Sequence, residues 1–145
     1  MLAEAIELQV VTPERHVLQE NVLSVQLPGK EGELGILPGH APLLTELGVG
    51  VMSYRKDGQA RYLTIVHGYA EVLPDRVIVL AETSERAEEI DVARAQQSRE
   101  RAQAELAKTP AADPEWGRAA FALQRSLVRL QAASHAGGGS GESSH

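Results

Sequence analysis

The sequence predicts an antiparallel β-sandwich or barrel of many short strands followed by a C-terminal antiparallel α-helical hairpin. Three observations carry this reading. Apolar residues alternate at period two up to Ile90, the period becomes helical beyond it, and the charge balance reverses at the same place. Residues 1–90 hold 7 Lys+Arg against 14 Asp+Glu, whereas residues 91–135 hold 7 against 5. The boundaries follow as residues 1–87 for the sandwich, 88–135 for the hairpin and 136–145 for a disordered Gly/Ser tail.

Ile6, Leu8 and Val10 alternate with polar residues, and Leu23, Val25 and Leu27 repeat the pattern, as expected of strands with one buried face. Tyr54 and Tyr62 flank Lys56-Asp57-Gly58-Gln59, where Asp-Gly supplies the positive backbone angles of a two-residue hairpin turn. Leu63 to Val66, Tyr69 to Leu73 and Val77 to Ala81 are short apolar runs interrupted by Gly68 and by Pro74-Asp75. Short runs at close spacing point to an antiparallel sandwich or barrel.

A first helix is expected from about Asp91 to Ala107, with Val92, Ala95, Ala102 and Leu106 on one face. Lys108 to Asp113 breaks the pattern, and Asp113-Pro114 opens a second helix with a side-chain acceptor for the free amides and a proline in the first turn. Trp116, Ala120, Leu123, Leu127 and Leu130 follow at offsets of 4, 3, 4 and 3, which places them on one stripe. From Ala136 the chain is glycine and serine with almost no apolar side chain, so disorder is expected there.

Composition narrows the function classes. There is no cysteine, which removes disulfides, thiolate metal sites and thiol nucleophiles together. The five histidines show no helical metal spacing. A net charge of −6 argues against nucleic acid as a partner, because phosphate neutralisation needs a basic surface. The opening MLAEAIELQV lacks a basic region and carries Glu4 and Glu7, so it does not read as a signal peptide, and no apolar run is long enough to insert in a bilayer. The glycine-rich stretch Gly29 to Pro42 is not a phosphate loop, since Gly29-Lys30 is followed by Glu31 and no helix follows. Gly48-Val49-Gly50 lacks the third glycine and the helix of a dinucleotide site. A nucleotide hydrolase is therefore not expected.

Four ordered pieces together resemble the epsilon subunits of bacterial F-type rotary ATP synthases: Val11-Thr12-Pro13-Glu14, the stretch Gly29 to Pro42, Leu80-Ala81-Glu82-Thr83, and Ile90-Asp91-Val92-Ala93-Arg94-Ala95. The resemblance runs from about Ile6 to Leu130. It implies a β-sandwich of about ten antiparallel strands followed by the α-helical hairpin, in a non-catalytic subunit of the central stalk of a proton-translocating synthase. Its sandwich is then held by the gamma subunit and the c-subunit ring, and its hairpin either folds onto the sandwich or extends into the alpha/beta catalytic hexamer to inhibit ATP hydrolysis. It further implies a peripheral position on the cytoplasmic face of the cell membrane, no required cofactor, and ATP as a regulatory ligand of the folded hairpin. A free-standing ATP-sensing or adaptor module would share the hairpin arginines but would not need the Gly29 to Pro42 loop.

Two groups of residues acquire roles through the resemblance. Glu31, Glu33 and His40, which on their own read as a solvated turn, would face the c-ring or gamma, where carboxylates complement cations. Glu85, Asp91, Arg94, Arg101, Arg125 and Arg129 would hold ATP. On spacing alone Arg125 and Arg129 lie opposite the Trp116 stripe and read as a solvated face; with the resemblance, four guanidiniums would face a triphosphate.

Overall fold

The computed structural model describes residues 4–142. Seven strands form one continuous sheet in the order β2-β1-β7-β6-β5-β3-β4. The strands are β1 (Ile6–Val11), β2 (His16–Val22), β3 (Ser24–Gly29), β4 (Gly32–Ile36), β5 (Leu43–Lys56), β6 (Gln59–Leu73) and β7 (Arg76–Thr83). A short 3₁₀ turn at Ala87–Glu89 leads into helices α1 (Val92–Lys108) and α2 (Pro114–Glu142).

The count is seven rather than about ten because the two longest strands are continuous through points where the sequence reads as broken. The runs Leu63 to Val66 and Tyr69 to Leu73 both belong to β6. Its first half pairs with the second half of β5, and its second half pairs with the first half of β5 and with β7. The long strands thus belong to both layers of the sandwich, and the sheet folds over at their midpoints. The bend sits at His67 (φ 51°) and Gly68 (φ 151°). A Cβ on Gly68 would lie 2.0 Å from the Leu80 carbonyl oxygen, so only glycine lets β7 approach β6 here.

The pairing is not wholly antiparallel either. β1 runs parallel to β7, in register from Glu7 opposite Arg76 to Val11 opposite Leu80. Such long-range pairing leaves no local trace in the sequence, whereas the tight turns do. Lys56 pairs with Gln59 across Asp57 (φ 53°) and Gly58 (φ 76°), and Leu73 pairs with Arg76 across Pro74-Asp75.

The sandwich core is aliphatic, with Ile6, Leu8, Leu27, Met52, Leu63, Ile65 and Val79 fully enclosed. Leu23 is exposed, because the chain turns between β2 and β3 and the alternation shifts by one residue there. The edge strand β2 reaches β5 through Glu20, which accepts a hydrogen bond from the Tyr54 hydroxyl at 3.2 Å and pairs with Lys56. Burial first, then the Glu20 charge, pushes the Tyr54 phenol up to about 12.

Helix α1 packs on α2, and α2 carries the extended contact to β5, β6 and the 3₁₀ turn. Asp91 caps α1 by accepting from the Arg94 amide at 3.1 Å, and Asp113 Oδ1 accepts from the Glu115 amide at 2.9 Å at the start of α2. The buried residues of α2 are Ala119, Ser126, Val128, Ala132 and Ala133, while Trp116 and Leu127 of the expected stripe are exposed. Small side chains let α2 lie close to both α1 and the sandwich, so the largest apolar residues do not mark its buried face. A second, smaller core joins Ala132 and Ala133 to Ala87, Ile90, Val51 and Tyr62. The helical backbone continues to Glu142, past the expected end of the hairpin at residue 135. Glycine is a poor helix former, so the composition of this stretch points away from the helix. The last part of the expected tail, residues 143–145, lies outside the described residues. No helix among the described residues is long and apolar enough to cross a membrane.

Candidate functional site

Between the sandwich and the hairpin lies a cavity of about 590 Å³. Its sandwich wall comes from the β1–β2 turn (Thr12, Glu14, Arg15), from Thr64 and Val66 of β6, and from Thr83 to Glu85 after β7; its hairpin wall comes from α1 and α2. Four of the six residues expected to hold a ligand line it: Glu85, Arg101, Arg125 and Arg129. Asp91 and Arg94 do not. Asp91 is engaged as the cap of α1, and Arg94 is exposed on its first turn.

Arg129 is half-buried, whereas Arg101 and Arg125 line the cavity from exposed positions. Arg129 reaches the sandwich and pairs with Glu85 through two contacts, Nε to Oε1 at 2.8 Å and Nη2 to Oε2 at 3.2 Å. Arg125 lies over the Phe121 ring, 5.2 Å from its centroid, and Phe121 in turn stacks on His67 with centroids 5.6 Å apart. The strained bend of β6 therefore presents His67 to the helix. Further along α2, His135 stacks on Tyr62 at 3.8 Å. Three side chains of α2, at positions 121, 129 and 135, thus bind the hairpin to the sandwich through groups that are polar or aromatic.

Two further residues of this site were not anticipated. Arg15 sits in an otherwise acidic block directly after Thr12-Pro13-Glu14, and only the folded chain brings it beside the hairpin. Its Nη2 lies 2.8 Å from Glu89 Oε1 and its Nη1 3.1 Å from Glu89 Oε2. This pairing, reinforced by the Arg86 backbone amide, holds the Glu89 carboxyl down to about 2 against the opposing effect of burial. The second is Ser84, whose hydroxyl is buried in the cavity wall without a hydrogen-bond partner. A lone serine carries no distinguishing sequence signal.

The three residues expected to contact the rotor are divided by the fold. Glu31 lies in the β3–β4 turn and Glu33 on β4 opposite Pro28, both exposed. His40 lies beyond the other end of β4, in the loop to β5, where its Nδ1 is 2.7 Å from the Ala41 carbonyl oxygen. That loop is tied to the β6–β7 turn by the Gly39 amide, which donates to the Pro74 carbonyl at 2.7 Å.

A sandwich with a helical hairpin folded over an arginine-lined cleft defines a two-part protein whose halves meet around that cleft. Residues 5–87 match the beta-sandwich domain of the ATP synthase delta/epsilon chain, and residues 88–134 match its long alpha-helix domain. The chain belongs to the ATP synthase delta/epsilon chain family. It is 46% identical over 138 residues to ATP synthase epsilon chain 2 of Syntrophotalea carbinolica, covering 95% of this chain and all of that one. It is 51% identical over 132 residues to the ATP synthase epsilon chain of Syntrophobacter fumaroxidans, covering 91% and 98%. Among solved structures it resembles a chain of the Euglena gracilis mitochondrial ATP synthase OSCP/F1/c-ring complex, with a TM-score of 0.79, 25% identity, and coverage of 93% and 84%.

Proposed function

We propose that this chain is a non-catalytic central-stalk subunit of a proton-translocating F-type ATP synthase, peripheral to the cytoplasmic face of the membrane. Its sandwich joins the gamma subunit to the c-subunit ring, and its hairpin regulates ATP hydrolysis. The observation that carries the reading is the match of both family domains, in order, across residues 5–134. Family membership favours this rotor role over that of a free-standing adaptor. Co-purification of the chain with gamma and the c-ring tests it; a chain isolated without either partner contradicts it.

The docked hairpin is the non-inhibiting arrangement. In it, ATP occupies the cleft and acts as a regulatory ligand rather than a substrate. Arg101, Arg125 and Arg129 face its phosphates and Glu85 accepts from its base or ribose, while Asp91, which caps α1 through the Arg94 amide, lies outside the cleft. Ligand that binds only the docked state shifts the equilibrium by about 2.7 kcal/mol at a hundredfold excess over Kd. Such a shift adds to a hairpin–sandwich contact made largely by small side chains, Ala132 and Ala133 of α2 against Ala87, Ile90, Val51 and Tyr62. Calorimetric titration with ATP tests this, and magnesium-dependent turnover by the repurified chain would contradict the non-catalytic role.

Glu31 and Glu33 at one end of β4, and His40 at the other, contact the c-ring or gamma. Reversing a charge at such a contact impairs coupling without altering the isolated fold. Glu33→Arg is therefore expected to reduce proton pumping in assembled membranes, and full pumping by an intact enzyme would remove Glu33 from the contact.

A further inference from the structure

We propose that Arg15, carried by the sandwich, is a further contact for the polyphosphate of the nucleotide, so that one ligand grips both halves of the molecule. This rests on reading the cleft as a nucleotide site.

The β1–β2 turn fixes Arg15 firmly. The Thr12 amide donates to the Arg15 carbonyl at 2.9 Å, and the Arg15 amide donates to Thr12 Oγ1 at 3.2 Å. Its guanidinium stands in the cavity wall across from the hairpin, donating to Glu89 from Nη1 and Nη2 and to the Ser84 carbonyl from Nη2 at 3.4 Å. A guanidinium has five N–H donors, and these contacts leave Nε–H and one Nη1–H free for a further acceptor.

The charge around the cavity calls for an anion. Arg15, Arg101, Arg125 and Arg129 line it against Glu14 and Glu85. Glu85 is taken by Arg129, whereas Arg101 and Arg125 have no carboxylate partner among the described residues. Ser84 adds an independent sign, since its residue is 5% exposed, it lines the same cavity, and its hydroxyl has nothing to bond. A polyphosphate spanning the cavity satisfies the free guanidiniums of the hairpin, the spare donors of Arg15 and the Ser84 hydroxyl together. Because Arg15 belongs to the sandwich and Arg101 and Arg125 to the hairpin, this ligand loses half its contacts when the hairpin lifts. That is the physical basis for binding the docked state alone.

The test is calorimetric titration of the full chain with ATP and, separately, with inorganic tripolyphosphate. Thermal unfolding of each variant confirms that it is folded. Arg15→Ala is expected to weaken both ligands roughly tenfold, the loss of one charge-assisted contact, and Arg15→Lys to recover part of the loss. Glu89→Gln separates a ligand contact from a structural clasp. It releases Arg15 without removing it, so binding is expected to hold or tighten. Equal weakening by Glu89→Gln and Arg15→Ala would show that Arg15 acts only through its clasp and would overturn the proposal. Unchanged binding by Arg15→Ala would overturn it while leaving the nucleotide reading intact. Failure of the unmodified chain to bind ATP would remove the nucleotide reading itself.

Discussion

Arg129 of α2 and Glu85, just past the last strand, meet across the boundary between hairpin and sandwich in a two-point ion pair, Nε to Oε1 at 2.8 Å and Nη2 to Oε2 at 3.2 Å. Both side chains are partly screened from solvent, and each belongs to a different half of the molecule. The pair therefore reports docking more directly than it reports folding. In a double-mutant cycle of Glu85→Gln and Arg129→Met, a coupling of about 1 kcal/mol is expected. It should appear in the population of docked hairpin, followed by a distance probe between α2 and β6, and be absent from the unfolding of the sandwich. Equal coupling in both measurements would mean that the two halves unfold as one unit.

Acid should weaken the clasp between Arg15 and Glu89. The Glu89 carboxyl is held at about 2 in the folded chain against 4.5 as its ordinary value. A depressed folded value means that the stabilisation is complete above the ordinary value and is lost as the pH falls from there towards the folded one. The stability difference between the unmodified chain and Glu89→Gln, read from urea unfolding without ligand, should be constant near neutrality. It should shrink steadily below about pH 4.5. A difference that does not change with pH in that range would exclude the Glu89 charge as its source.

Gly68→Ala should be among the most damaging single-methyl changes in the sandwich. The added carbon meets backbone atoms, the Leu80 oxygen at 2.0 Å and the Ala81 Cα at 2.8 Å, and the residue's φ of +151° is costly for any side chain. A loss of about 3 kcal/mol or more is expected in chemical unfolding. By contrast, Gly117→Ala places its methyl in open space within a helix and should be neutral or stabilising. Similar outcomes for the two would show that the bend of β6 is free to relax.

Truncation after Thr83 should leave a sandwich that unfolds cooperatively. The main core contains residues from Ile6 to Ala81 and none from the helices, while Ala87 and Ile90 belong to the separate small core with Ala132 and Ala133. The fragment forfeits the bonds between Thr64 and Glu85, so a lowered midpoint is expected, with the transition still sharp. A broad, non-cooperative transition would show that the hairpin completes the sandwich.

The turns were legible in the sequence because each depends on local chemistry. Asp57-Gly58 and Pro74-Asp75 encode their own backbone angles, and the change of period at Ile90 marks where the buried face changes geometry. The continuity of β5 and β6 was hidden because Gly68, which reads as a stop, acts as a hinge within a strand. The parallel neighbour of β1 was hidden because it lies far along the chain. In the helices, the periodic large residues Trp116 and Leu127 misled, since the contacts are made by alanines and Ser126. Of the residues lining the cleft, Glu85, Arg101, Arg125 and Arg129 were singled out only through the family resemblance, since spacing alone read the arginines as a solvated face, and Arg15 was missed on the sandwich side. There, Arg15 becomes a neighbour of Glu89 only through tertiary structure.

The parallel pairing of β1 with β7 also orders events on the ribosome. Strand β1 can meet β2 as soon as both emerge, but its other edge waits until Arg76 to Leu80 have been synthesised. A sandwich closed by its last strand carries high contact order and is expected to fold slowly, as a nearly complete unit rather than strand by strand. The hairpin follows in translation, and its docking contacts His67, Glu85 and Tyr62 are all in place upstream of α1. The nascent chain thus builds its receptor before the element that will occupy it, and the first choice between docking and release arises once α2 has been made.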